Sequence, residues 1–282
     1  YINVQHNNQN GHVTAELYSE IVSPDTRVVT ILHASPVTGI SVDLEAISKA
    51  VHSISPEALI IVDGVQYAAH GGITIDQYNI DGYAISPYKM YSRHGYGLAW
   101  VSDRLTKMNH EQLFDGPSEN WELGTRDTGS YATISNVVQY LEWLGEKIEN
   151  TESRSVKLYN AAKAIAAQET ALTDLMINGE DNIKGLKDLS GVEIIGGLKN
   201  PNRSGLVSFR INGTSSHLLV DFLNDKGIRT HVRKADHYSG NILDPLGWED
   251  CVRVSVCHYN SSEEIKSLLL ALNEFQLDVG TN

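Results

Sequence analysis

The 282-residue sequence places an acid and an amine at the ends of two short apolar runs. Asp63 closes "EALIIVD" (57–63), the most apolar of these runs, and Lys89 follows "GYAIS" (82–86). The residues before Lys89 are Tyr83, Ala84, Ile85, Ser86, Pro87 and Tyr88, not the charges of a solvated face, so the sequence predicts a held amine. In open α/β sheets, ligands bind outside the carboxyl ends of the strands. A carboxylate at such an end is placed to hold a cationic ring nitrogen, and Gly64 beside it lets the backbone turn tightly beneath a ligand. Taken singly, Asp63 reads equally well as a turn residue and Lys89 as a solvated one. Taken together, two strand ends aim an acid and an amine at one crevice.

That arrangement needs parallel strands whose ends share an edge. Candidate strands are "TRVVTILH" (26–33), 57–63, 82–86 and "YGLAWVS" (96–102). Between the first two, "DLEAISKAVHSI" (43–54) sets Leu44, Ile47, Val51 and Ile54 at helical spacing, as a crossover helix requires. The expected class is α/β with a mainly parallel sheet. Residues 131–178 read as helical. After them come "LVSFRI" (206–211), a helix over 215–227, "IRTHV" (228–232), "CVRVSVCHY" (251–259) and a closing helix over 261–275. A large domain over 1–150 and a smaller α+β C-terminal domain over 151–282 are therefore expected.

Composition narrows the function classes. With 41% hydrophobic and 20% charged residues the chain is an ordinary folding one, and its net charge of -13 argues against a nucleic-acid surface. The two cysteines, Cys251 and Cys257, form neither a zinc knuckle nor a C-x-x-C pair, so no metal is expected and a reducing, cytoplasmic setting is. No stretch approaches the roughly 20 apolar residues of a membrane span. The opening "YINVQHNNQNGH" is strand-like, lacks Met and is not a signal peptide, which suggests a start inside a longer protein. No G-x-G-x-x-G follows a first strand, so a nucleotide-binding oxidoreductase is set aside.

The string "VDGVQYAAHGGITIDQYNIDGYAISPYKMY", followed by "GYGLAWV", closely resembles the class V aminotransferase and cysteine desulfurase group of fold-type I enzymes, which use pyridoxal 5'-phosphate. The resemblance implies that Lys89 forms a Schiff base with the cofactor and that Asp63 keeps its pyridine nitrogen protonated. It implies Gln66 at the ring hydroxyl, Ser86 at the phosphate, and Tyr88, where the family has histidine, in a polar contact. "WELGTRDTGS" is similar to the family's E-x-G-T, which makes Thr125 a contact to the neighbouring subunit's cofactor phosphate and the active unit a homodimer with shared sites. "CVRVSVCHYNSSEEI" is similar to R-x-S-x-x-x-Y-N-T-x-E-E-I, whose arginine grips the substrate α-carboxylate through a bidentate fork. Here that is Arg253, with Arg233 as the second candidate; a structural pairing of Arg253 on its strand is the alternative.

Departures from the family pattern carry information too. The desulfurase loop after "GI-x-x-R" holds a catalytic cysteine, whereas "GIRTHVRKADHYSGNIL" has none. Cys251 and Cys257 share parity with Arg253, so both could face a pocket, but a strand cysteine is more often a small buried apolar residue. Pro36 replaces the asparagine of the family's S-N-x-x-G turn, and His231, Arg233, Lys234 and His237 form a cationic stretch suited to an acidic substrate or to solvent. The family's earlier portion, with its phosphate-cradling turn and ring-stacking residue, has no counterpart upstream. The expected function is that of an enzyme acting on an α-amino acid by transamination, β-elimination or carbon–sulfur cleavage, with Lys89 also moving a proton at Cα. A cysteine desulfurase and a noncatalytic relative serving partner binding are the alternatives; the second would be marked by loss of the lysine or the aspartate, and both are present.

Overall fold

Val29 and Ile31, then Ile60 and Val62, are buried while their neighbours are more exposed, the period of two that covers one face of a sheet. In a computed structural model describing residues 1–125 and 127–280, these residues lie on β1 (Val28–Leu32) and β2 (Leu59–Asp63). The sheet runs β1-β2-β3-β4, with β3 at Gly82–Ile85 and β4 at Leu98–Val101. β1, β2 and β3 are parallel, and β4 returns antiparallel to β3. The crossover helix α2 (Leu44–Ile54) buries Leu44, Ile47 and Val51, and Asp43 caps it by accepting the Ala46 N–H at 2.9 Å. A short helix, α1 (Ala15–Ile21), precedes β1; the sequence reading had no element there, because Tyr18 is its one buried residue and offers no periodicity. The expected helical region is two helices, α3 (Thr128–Ile148) and α4 (Arg154–Asn178). Gly145 lets them approach, since a Cβ there would collide with the Lys157 carbonyl.

At the amino ends of these strands Asp81 acts as a clamp. Its carboxylate accepts the Ile60 N–H at 2.9 Å, the Ser102 hydroxyl at 3.0 Å, and Arg104 Nε and Nη2 at 2.9 and 2.6 Å. Burial pushes the Asp81 pKa up, but the Arg104 fork, the Ile60 amide and Ser102 together outweigh it, leaving the acid below its usual range. A depressed folded-state pKa stabilises above the unfolded value, and that contribution is lost as pH falls through the folded one. Breaking a buried pair costs about 3–5 kcal/mol; with Arg104 partly in solvent, Asp81→Asn is expected to cost about 2 kcal/mol at neutral pH. Urea unfolding checks this, and the gap between variant and parent should narrow as pH falls through the lowered Asp81 pKa.

The chain divides into two compact units. One comprises residues 14–34 and 43–162, just described; the other gathers residues 1–13, 35–42 and 163–282. In the second unit an antiparallel sheet runs β5-β6-β8-β7, with β5 at Val192–Ile194, β6 at Leu206–Ile211, β7 at His231–Lys234 and β8 at Asp250–Ser255. Val207, Phe209, Val252 and Val254 point from one face into a core shared with α4, α5 (Ser216–Asp225) and α6 (Ser262–Gly280). Two strand expectations shift. Pairing begins at His231, not Ile228, because Gly227 ends α5 in a left-handed turn (φ 77°) and residues 228–230 lead out of it. β8 stops at Ser255, and the Cys257 N–H is taken by Asn260 Oδ1 at 2.9 Å. The opening "YINVQ" forms no strand; His6 is buried instead, its Nε2 3.2 Å from the Ile242 carbonyl. No helix among the described residues is long and apolar enough to cross a membrane.

Candidate active site

Parallel register sets Asp63 opposite Ala84, so the chain leaving β3 emerges on the edge that Asp63 ends. Asp63 is exposed, and its Oδ1 accepts the Val65 N–H at 2.9 Å, a local turn that points the strand end outward. Past β3, Pro87 opens a tight helical turn over Pro87–Met90 that carries Lys89, whose N–H donates to the Ser86 carbonyl at 3.0 Å. Tyr91 closes it in the left-handed region (φ 67°), and its hydroxyl donates to the Ala69 carbonyl at 3.2 Å. That bond ties the lysine turn to the turn at Tyr67–Ala69. Between the two, Lys89 Nζ donates to Gln66 Oε1 at 3.0 Å.

Gln66 is buried, and its Nε2 lies 3.1 Å from His70 Nε2. An amide N–H2 only donates, so this imidazole nitrogen accepts and the proton sits on Nδ1. His70 therefore fixes which end of the Gln66 amide meets the amine. In His70→Ala the amide is free to turn, and the contact between Lys89 Nζ and Gln66 Oε1 is no longer enforced. The expected result is several-fold faster labelling of Lys89 by an amine-selective reagent, read by peptide mapping, with His70→Gln closer to the parent. An unchanged labelling rate would contradict this role.

Beneath the edge lies an uncharged aromatic floor. His33, just past β1, is buried; its Nδ1 shares a 2.7 Å hydrogen bond with the Tyr83 hydroxyl, and its ring stacks on Tyr67 at 3.6 Å. Burial pushes the His33 pKa down to about 3, so it stays neutral. Burial, then the neighbouring Tyr78, Tyr67 and Asp63, hold the Tyr83 phenol well above its usual range. A Cβ at Gly64 would run into the Tyr83 ring, so glycine is required where Asp63 turns outward.

The structure thus joins Lys89 and Gln66 on the edge that Asp63 ends, with Ser86 half-buried in the same turn. Tyr88 is exposed and its ring stacks on His94 at 4.4 Å; its hydroxyl has no hydrogen bond among the described residues. Thr125 is exposed in irregular chain ahead of α3. Sequence reasoning missed His33, His70 and the role of Tyr83; position alone pointed to His33, which follows β1 as Gly64 follows β2.

In the other unit, Arg253 lies on β8 and Arg233 on β7. Arg253 Nη1 donates to the Pro36 carbonyl at 3.1 Å, giving the proline of the altered turn a defined task. Burial, then the nearby Arg233 charge, lower the Arg253 pKa to about 10, which leaves it charged at neutral pH. Cys251 is fully buried beside Val37, Leu243 and Trp248, and burial pushes its thiol up to about 11. Cys257 lies beyond the end of β8, so strand parity no longer places it beside Arg253. The two thiols are free, and Cys251 is the buried apolar residue that strand cysteines usually are.

The family model described as Aminotransferase class-V matches residues 1–268. A probable cysteine desulfurase of Xylella fastidiosa is 27% identical over 93% of this chain and 60% of its own length. The aminotransferase-like protein FGM3 of Gibberella zeae is 29% identical over 93% of this chain and 62% of its own. Among solved structures, the cysteine desulfurase CsdA of Escherichia coli superposes with a TM-score of 0.77 at 23% identity, covering 99% of this chain and 65% of that one. At that identity the likeness shows the fold, which is fold-type I. The chain spans about 60% of the length of the curated relatives it matches.

Proposed function

The chain belongs to the class-V aminotransferase family, and from that premise we propose that the full protein is a pyridoxal-phosphate-dependent enzyme acting on an α-amino acid, as an aminotransferase or as a carbon–sulfur or β-elimination lyase. The observation that carries the proposal is the Lys89 amine held 3.0 Å from Gln66 on the edge that Asp63 ends. The donor set fits the cofactor: an oriented amine, an acid on a strand end, a half-buried hydroxyl at Ser86, and an uncharged floor that leaves Asp63 as the charge facing a ring. When bound, pyridoxal phosphate supplies an aldehyde for the lysine and a protonated ring that draws electrons from the bond broken at Cα.

In this reading Asp63 holds the proton on the ring nitrogen and Gln66 meets the ring hydroxyl. Ser86 donates to the phosphate, with Tyr88 at its margin. Lys89 holds the cofactor, then takes and returns the proton at Cα. Arg253 grips the α-carboxylate through its planar fork, with Arg233 as the neighbouring cation. A homodimer is proposed in which Thr125 reaches the partner's phosphate, and the cofactor-bearing and C-terminal domains are assigned to 1–150 and 151–282. Free thiols suit a cytoplasmic setting.

A cysteine desulfurase is the second reading, favoured by the names of several relatives. The stretch 228–246 contains no cysteine, which weighs against sulfur transfer through that loop. The test is the absorption spectrum of the full-length protein, followed by a screen of amino acids for ketoacid, ammonia or sulfide release. A yellow protein that releases one of these supports the proposal. A colourless protein that binds no added cofactor overturns it.

A further inference from the structure

The face of the second sheet opposite its core carries more cationic charge than an α-carboxylate needs. Register pairs Arg253 with His231 and Cys251 with Arg233, so strand alternation puts all four side chains on one face. Ser208 joins them from β6, opposite Arg253. Arg233 and Arg253 are thus diagonal neighbours, close enough for each to feel the other's charge. Neither forms an ion pair among the described residues, although Asp236 is close enough to Arg233 to feel its charge, and each keeps an Nε–H shut from solvent with no acceptor. Arg210, on the same face, shares the orphaned Nε–H but differs in having a carboxylate: it is paired with Glu193 at 3.0 Å and lies over the Trp248 ring at 4.4 Å.

Two neighbouring guanidinium groups without an anion are costly to hold together, and an oxyanion arriving between or beside them removes that cost. One carboxylate is satisfied by one bidentate fork. Arg253 is already oriented by the Pro36 carbonyl, so Arg233 is surplus to that task. His231, on the same face, is held below its usual pKa by burial and by the Arg253 and Arg233 charges, so the charge of this part of the face is that of the two arginines. We propose that Arg233 binds a second oxyanion, carried by the substrate's side chain, so that the enzyme takes an acidic α-amino acid. This rests on the proposed function above, with Arg253 at the α-carboxylate.

The test uses the full-length holoenzyme and follows its visible absorption during titration with aspartate against asparagine, glutamate against glutamine, and cysteate against alanine. The acidic member of at least one pair should bind roughly tenfold or more tightly than its neutral counterpart. Arg233→Met should erase that ratio, Arg233→Lys should keep part of it, and Arg253→Lys should weaken both members alike. Equal binding of acid and amide by the parent enzyme overturns the inference. So does an Arg233→Met variant that weakens both members in equal proportion. If Arg233→Met fails to fold, the parent ratios and Arg233→Lys decide. Should alanine bind while acids gain nothing, the inference alone fails; should no amino acid perturb a bound cofactor, the parent reading fails with it.

Discussion

Replacing Lys89 with alanine is expected to abolish the visible absorption of the lysine-bound cofactor and to lower turnover by about 10⁴-fold or more, since in the proposed function one side chain both carries the cofactor and moves the proton at Cα. The amine is presented by a turn that begins at Pro87 and closes at left-handed Tyr91, and Gln66 receives it at 3.0 Å. Because that turn is held by backbone bonds and by Tyr91, truncation at Lys89 leaves it standing. The unfolding midpoint should therefore move little, and a small free amine added to the variant should restore part of the turnover. A variant with an undiminished visible band would show that a different amine holds the cofactor.

Asp63→Asn is expected to retain cofactor but lose about 10²–10³-fold in kcat, the usual scale for one well-placed electrostatic group. This substitution isolates charge from structure. Asp63 Oδ1 accepts the Val65 N–H, and the Asn side-chain carbonyl can do the same, so the turn survives. What is lost is the negative charge to which the proposed function assigns the protonation of the ring nitrogen. Steady-state kinetics at saturating cofactor read the loss directly. An Asn variant as fast as the parent would mean that Asp63 serves only its turn.

Much of this arrangement was legible before the structure. The apolar runs at 26–33, 57–63 and 82–86 and the helical spacing of Leu44, Ile47 and Val51 sufficed for a parallel sheet, and with β3 parallel to β2 that sheet sends Asp63 and the Lys89 turn to one edge. His33, Tyr67 and Tyr83 were not legible as a floor, because they meet across separations such as the 50 residues between His33 and Tyr83. The His70–Gln66 contact is local, but it depends on which nitrogen of a ring faces an amide, which no spacing reveals. The reading of Cys257 failed for a simple reason. Parity holds only while a strand continues, and Asn260 captures the Cys257 amide two residues past the end of β8.

The central claim, that Lys89 is the amine holding the cofactor, is tested most directly by reducing the full-length holoenzyme with borohydride, which fixes the cofactor to its lysine, and locating the modified residue by peptide mass spectrometry. The account expects a single phosphopyridoxyl group on the peptide containing Lys89. A modified lysine anywhere else in the chain, or full retention of label after Lys89→Ala, would contradict it.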